Sequence, residues 1–296
     1  MCMELLRKGK VKDVYDDGNA LVFKFSDRIS VFDKIIPNSI PHKGESLCRT
    51  SYYWYNVVSS LNIETDLIEL VSDSEMRVKK YRQMDKGYGF LSNYMVPLEF
   101  ITRYYMAGSL YDRIKSGEID YHTLGFKNAP EYGDPLPDPF FEVSTKFEKF
   151  DRYLETKEAL EISGLDLGEL YSIREIIFKI DRRINKSVES RGLIHADGKK
   201  EFALGMERKP VIIDTFGTLD EDRFWDKEDY ENGQVNELSK EMVRQYYRAA
   251  GYHEKLMYAR DKKEAEPDIT PLPENMVKTV SDLYIQMYEK ITGLKW

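Results

Sequence analysis

The stretch "LIHADGKKEFALGMERKPVIIDTFG", residues 193–217, constrains the fold more than any other. Asp197, Lys199 and Glu201 occupy alternate positions, and an apolar run then ends in Asp214. Alternate residues of a strand share a face. An extended 196–204 therefore sets an acid, an ammonium and a second acid side by side. "KPVIIDT" reads as a buried strand ending in an acid, joined to the first through the short "MERK". A hairpin here carries Asp214 to the 197–201 end of its partner. Carboxylates so placed repel one another, and Mg²⁺ offsets them while leaving room for phosphate oxygens. Lys199 between them suits a second anion. Alternating charges also mark the solvated face of a strand, whereas strand ends beside clefts are where sites gather. The hairpin alone leaves both readings standing.

The flanking sequence gives the setting. "ALVFKFS" (20–26) alternates as a strand, and "DLIELVSDSEMRVKKYRQ" (66–83) reads as two short strands joined at the turn-prone "SDS". "TSYYWYNVVSSL" (50–61) fits a helix. Beyond residue 98 the texture changes. Leu170, Ile173, Ile177, Ile180 and Ile184 step by three and four along one helix stripe, with Asp166 and Glu169 as a capping pair and Gly192 as a stop. "ELSKEMVRQYYRAAGY" and "PENMVKTVSDLYIQMYEKITG" read as two more helices. The proline-rich "APEYGDPLPDPF" (129–140) and "EPDITPLPEN" (266–275) read as surface loops. The expected class is α+β, with a strand-rich lobe over 1–97 and a larger lobe of helices and a small sheet over 98–296.

Composition narrows the partners. Charged residues make up 32% of the chain, and no apolar run approaches the ~18 residues of a spanning helix, so no membrane partner is expected. The net charge of −8 argues against nucleic acid. Cys2 and Cys48 are too few for a disulfide framework and read as reduced thiols of a cytoplasmic protein. With only four histidines, a His-based zinc site is not expected.

Two further motifs suggest phosphate chemistry. "RKGKVKDVYDD" places Gly9 near a turn and points Lys10 and Lys12 to one side, as a polyphosphate requires; it reads equally as a solvated basic patch. "HADGK" and "IDTFG" resemble the H-x-D-x-K and D-F-G elements of protein kinases, although Phe202 stands where a kinase places its metal-binding Asn.

Eight stretches, in order, resemble the SAICAR synthetase family: "GKVKDVY", "SDRISVFD", "IPHKG", "SDSEMRVKK", "MVPLEFITRYYMAGS", "STK", "DGKKEFAL" and "DEDRFWD". The resemblance runs from residue 7 to about 255. It implies a SAICAR synthase-like fold with a kinase- or ATP-grasp-like cleft. It also implies an ATP- and Mg²⁺-dependent ligation of L-aspartate to the carboxylate of an aminoimidazole ribonucleotide, CAIR. On this likeness Lys10, Lys12 and Lys146 meet the ATP phosphates, while the Met95 backbone, with Val96 beside it, meets adenine. Glu201 and Asp214 hold magnesium and, with Lys199, carry the chemistry. Arg103, Ser109, Lys199 and Arg223 surround the ribonucleotide's phosphate and carboxylate. Asp220 lies near its ribose or amine, and Ser30 and Asp33 near the reacting carboxylate or aspartate. Without the likeness, Arg103 reads as a surface ion pair, Arg223 as balanced by its acidic neighbours, and Met95 as core. The chain departs from the pattern at Asp214–Thr215, where many members carry Asp-Glu. A monomer and a homodimer are both compatible, and a small-molecule kinase is the alternative activity.

Overall fold

The computed structural model describes residues 3–32, 34–148, 152–238 and 240–296. Strands β1 (Glu4–Lys8), β2 (Lys12–Asp16) and β3 (Ala20–Phe25) form an antiparallel meander. The hairpin β4 (Arg28–Val31) and β5 (Lys34–Ser39) and helix α1 (Lys43–Ser60) follow. Strands β6 (Leu67–Ser72) and β7 (Glu75–Lys79) then return to the first sheet, giving the order β1-β2-β3-β7-β6. The "SDS" turn separates those two strands, as its residues predict. α1 begins seven residues before the apolar pattern of 50–61, because the buried face continues through Leu47, Ser46 and Lys43.

The second sheet is built from β8 (Tyr94–Met95), β9 (Leu98–Tyr105), β10 (Pro135–Thr145), β11 (Tyr153–Leu154), β12 (Leu193–Leu204), β13 (Pro210–Ile213) and β14 (Asp222–Asp226). Its main path is β11-β10-β9-β12-β13, with β8 and β14 also paired to β12. Helices α2 (Gly108–Lys115), α3 (Thr156–Ser163), α4 (Leu167–Glu189), α5 (Lys227–Glu231), α6 (Glu241–Ala249), α7 (Tyr252–Lys262) and α8 (Glu274–Thr292) surround it. α4 follows its sequence closely. Asp166 accepts from the Glu169 N–H, Glu169 returns the bond to the Asp166 N–H, and the predicted stripe of Leu170, Ile173, Ile177, Ile180 and Ile184 is buried.

Two expectations are corrected. The stretch 129–140 is not all loop, since β10 starts at Pro135. Its pairing with β9 jumps from Pro135–Tyr105 to Phe140–Arg103, and β11 pairs only with Val143 and Ser144. The proline half therefore has no second neighbour to which an N–H is owed. The stretch 237–252 is not one helix: Glu237 bridges Trp225, α6 starts at Glu241, and Gly251 in a left-handed conformation (φ 71°) separates α6 from α7. No helix among the described residues is long and apolar enough to cross a membrane. Cys48 is buried as a free thiol, and Cys2 lies outside the described residues.

One hydrophobic cluster runs through both sheets. It includes Phe23 and Val78 of the first, Phe100 and Phe202 of the second, Trp54 of α1, Ile180 of α4 and Tyr284 of α8. The functional face of β12 lies on the side away from Phe202.

Candidate active site

The face of β12 bearing Asp197, Lys199 and Glu201 is not solvated. Asp197 is 5% exposed and Glu201 4%. Carboxylates this deep persist only when paired, and neighbouring strands supply the partners. Arg103 on β9 stands opposite Asp197 and donates to it at 3.0 Å, and Arg223 on β14 donates to the same carboxylate from the other side. Lys199 lies between Glu99 (2.8 Å), Glu221 (3.2 Å) and Glu201 (3.3 Å). Lys146, just beyond β10, bonds Glu201. Burial works against the Lys199 ammonium, but Glu221, Glu201 and Glu99 outweigh it and hold its proton on. Burial also pushes the Glu99 carboxyl up to about 7, with Lys199 opposing and Glu201 adding. Gly198 is needed for this packing, since a Cβ there would sit 2.3 Å from an Asp222 oxygen.

The hairpin brings Asp214 to this group as its sequence predicts. Glu201 pairs with Ile213, so Asp214 emerges beside Glu201 at the tip of β13. Its backbone is left-handed (φ 62°), and its carboxylate accepts the Thr215 N–H at 2.6 Å and the Lys12 ammonium. Burial raises the Asp214 carboxyl, but Lys12 and Lys146 outweigh this and keep it well below the usual range. Glu201 is likewise held below its usual range: burial and Asp214 push it up, but Lys146 and Lys199 together outweigh them. Lys12 is buried over the Phe23 ring, 4.8 Å from its centre. The turn before it closes through a Gly9 N–H to Lys12 carbonyl bond of 3.0 Å, and a Cβ on Gly9 would lie 2.4 Å from that oxygen.

An apolar patch continues this face. Met95 pairs with Ala203 and Ala203 with Val211, while Ile213 stands opposite Glu201. Met95, Ala203, Val211 and Ile213 thus extend the Glu201 face, and Tyr81 packs against them. Val96 turns the other way, into the main core, so of the two residues expected at adenine only Met95 presents a side chain here. Both backbone donors are engaged, Met95 with the Arg82 carbonyl and Val96 with that of Phe202, each at 2.9 Å.

In the opposite direction the face opens into a cleft of about 1050 Å³ lined by Lys10, Ser30, Ser109, Lys199, Asp220 and Arg223, among others. Ser109 lies in the first turn of α2, and the Arg223 guanidinium occupies the space beside Gly108, 2.6 Å from where a Cβ would stand. Arg103 does not reach the cleft. It is buried behind Ser109, donating to Ser109 Oγ (3.0 Å), Tyr153 Oη (3.1 Å) and Glu142 (2.8 Å). It is no surface ion pair. Asp220 accepts from Lys43 at 2.9 Å and Tyr284 at 2.7 Å, with Lys240 at 3.9 Å. Burial pushes its carboxyl up, but Lys240 and Lys43 hold it well below the usual range. Ser30 is half-buried on β4; Asp33 lies outside the described residues.

Sequence reasoning missed Glu99, Glu221, Lys43 and Lys240. Glu99 shares a β9 face with Arg103, so alternation pointed to it once a strand was recognised there. Lys43 lies in the "IPHKG" stretch, but nothing local marks it as the buried partner of Asp220.

No group of three or more His, Cys, Asp or Glu among the described residues is arranged to hold a metal. Glu201 and Asp214 are adjacent, ionised and balanced by lysines. They fit the protein's share of a Mg²⁺ site, for which one or two carboxylates suffice when phosphate and water complete the shell.

Acids paired with lysines where β12 meets the end of β13, flanked by an apolar patch and by a cleft with several cations, suit a nucleotide-dependent enzyme of the phosphoryl-transfer and ligation class. Comparison with known proteins makes this specific. The chain belongs to the SAICAR synthetase family, whose model matches residues 5–258. It is 61% identical to the phosphoribosylaminoimidazole-succinocarboxamide synthase of Thermoplasma volcanium over 99% of this chain and 100% of that one. The enzyme of the same name from Thermoplasma acidophilum is 58% identical over the same shares. Among solved structures, the SAICAR synthase from Saccharomyces cerevisiae complexed with SAICAR superposes with a TM-score of 0.79 at 26% identity, covering 99% of this chain and 96% of that one.

Proposed function

We propose that this protein joins L-aspartate to CAIR at the expense of ATP, forming SAICAR, ADP and phosphate. The observation that carries the reading is the continuity of one sheet face: apolar at Met95–Ala203, doubly acidic with lysines at Glu201–Asp214, cationic at Arg223–Ser109. Three successive environments suit a purine, its phosphates and a second phosphorylated molecule.

Adenine lies on the apolar patch, and Lys10, Lys12 and Lys146 take the phosphates. The present partners of Lys12 and Lys146 are the carboxylates of Asp214 and Glu201. Those carboxylates hold magnesium, which when bound neutralises charge on the transferring phosphoryl group. The ribonucleotide phosphate sits on Ser109 and Arg223 at the α2 N-terminus, where free N–H groups and the helix dipole favour an anion. Arg103 supports that seat from behind. Asp220 meets the ribose or ring amine, and Ser30 and Asp33 serve the reacting carboxylate or aspartate. Lys199 holds the CAIR carboxylate in line for attack on the γ-phosphoryl group. One carboxylate oxygen forms a P–O bond as ADP departs, giving an acyl phosphate. The aspartate amine then attacks the acyl carbon, the C–O bond breaks, phosphate leaves and the nitrogen loses a proton. Positioning and charge neutralisation suffice, so no protein nucleophile is needed. The nucleotide-binding lobe is assigned to 1–97 and the lobe bearing the acids and ribonucleotide site to 98–296. The substrates are soluble anions, consistent with work in the cytoplasm as a monomer or homodimer.

The test is ADP release with each substrate omitted in turn. The ligase releases ADP continuously only with ATP, CAIR and L-aspartate together. Full-rate release without aspartate, with a stable phosphorylated product, would replace it by a kinase. Glu201→Gln and Asp214→Asn should each lower turnover by on the order of 10²-fold or more.

A further inference from the structure

Segment 214–220 links two ends of the proposed site, from Asp214 beside the phosphates to Asp220 in the ribonucleotide cleft. It has no helix or strand of its own. Its path bends through left-handed Asp214 (φ 62°) and Gly217 (φ 67°). A segment without ladder bonds takes its shape from the groups that satisfy its polar atoms. Here three of those groups come from α1. The Tyr55 hydroxyl sits between two acceptors, the Asp214 carbonyl and Asp66 Oδ1 at 2.7 Å, with one proton to share. Trp54 Nε1 donates to the Gly217 carbonyl at 2.9 Å. Lys43 Nζ donates to the Asp220 carboxylate at 2.9 Å.

The spacing suits one rigid bracket. Positions 43 and 54 are about three helical turns apart, so they share a face roughly 16 Å long. All three side chains are fully buried at 0% exposure. Gly217 fits so tightly against Trp54 that a Cβ would lie 2.5 Å from the indole. The bracket is itself anchored: Ser46 Oγ donates to the Tyr284 carbonyl at 2.7 Å, and the Tyr284 hydroxyl joins Lys43 on Asp220. From the sheet side, Asp222 accepts the Gly217 N–H at 2.9 Å. A fully buried lysine and a buried phenol add nothing to packing that Met and Phe would lack, and each carries a desolvation cost. What they add is direction.

We infer that α1 is the positioning element of the site: Tyr55 and Trp54 set the Asp214 loop, Lys43 sets Asp220, and the helix between them fixes the spacing of the two ends. These are positioning residues that act through the loop and touch no reacting atom. The inference rests on the roles proposed for Asp214 and Asp220, and it gives the "IPHKG" stretch a purpose that the likeness left open.

Calorimetric titration of the full chain tests it, with Mg·ADP and CAIR as separate probes. Tyr55→Phe should weaken Mg·ADP by about tenfold, the scale of one buried hydrogen bond. Its affinity for CAIR, and for ADP in the presence of EDTA, should stay at the wild-type value. Lys43→Met should do the reverse, weakening CAIR by about tenfold and leaving Mg·ADP unchanged. Lys43→Arg should recover part of the loss. Should Lys43→Met not fold, Tyr284→Phe removes the other donor from Asp220 and takes its place. Variants that melt lower yet bind both probes as the wild type does would overturn the inference, as would loss of both affinities together in each variant. Failure of the underlying reading looks different: the wild-type protein itself would not bind CAIR or Mg·ADP.

Discussion

Asp220 shows at the scale of one residue why this site needs its cations. Its side chain is 4% exposed, and Lys43, Lys240 and Tyr284 replace the lost hydration. Those lysines depress its pKa in the folded state against the upward push of burial, whereas the unfolded value is about 3.9. The unfolded chain therefore binds the proton more readily. The stabilisation is fully present above about pH 4 and is lost as pH falls through the depressed folded value. Melting curves taken from about pH 5 downward should show the wild-type midpoint dropping more steeply than that of Asp220→Asn, which has no proton to gain. Parallel slopes would mean the carboxylate carries no such load. Asp197, Lys199 and Glu201 were readable because they alternate at strand spacing, and Asp214 because it ends the apolar run that follows. Glu99 and Lys43 were not, because each takes its meaning from a partner at least 100 positions away, Lys199 and Asp220 respectively.

At the scale of elements, α4 and α6 contrast. α4 was legible down to its cap, since a capping pair and an apolar stripe are both local patterns. Asp166→Ala should remove about 1 kcal/mol and lower the melting temperature by roughly 2–4 °C in a chain of this size. ADP release should not change, because Asp166 lines no part of the cleft. A slower enzyme at unchanged stability would contradict that separation. The 237–252 region carried helix-forming residues throughout, but its first part is drawn into a bridge with Trp225 and a Leu238 N–H bond to the Phe224 carbonyl, and its end is turned by Gly251. Pairing with another strand outweighed local propensity there, and no pattern in the segment announces a partner.

At the scale of the whole molecule, the two sheets share one core. Trp54, Phe100, Phe202 and Tyr284 belong to a single cluster, and α1 reaches from the first sheet to α8 and the 214–220 segment. A shared core predicts shared cooperativity. In urea, near-ultraviolet and far-ultraviolet circular dichroism should trace one coincident transition. Two transitions, with the strand-rich lobe melting apart from the rest, would show that the lobes are energetically independent.

The sequence by itself determined the α+β character, the strand pair that carries the acids, the amphipathic helix beside it and, through eight ordered stretches, the family. These are properties of residue order over short distances, where strand and helix periods act. Tertiary structure alone decided which charges are buried, which lysine neutralises which acid, and that a helix read only as apolar holds both ends of the site. Burial and pairing are set by what folds against a residue, and the chain brings those partners together only once the core has closed.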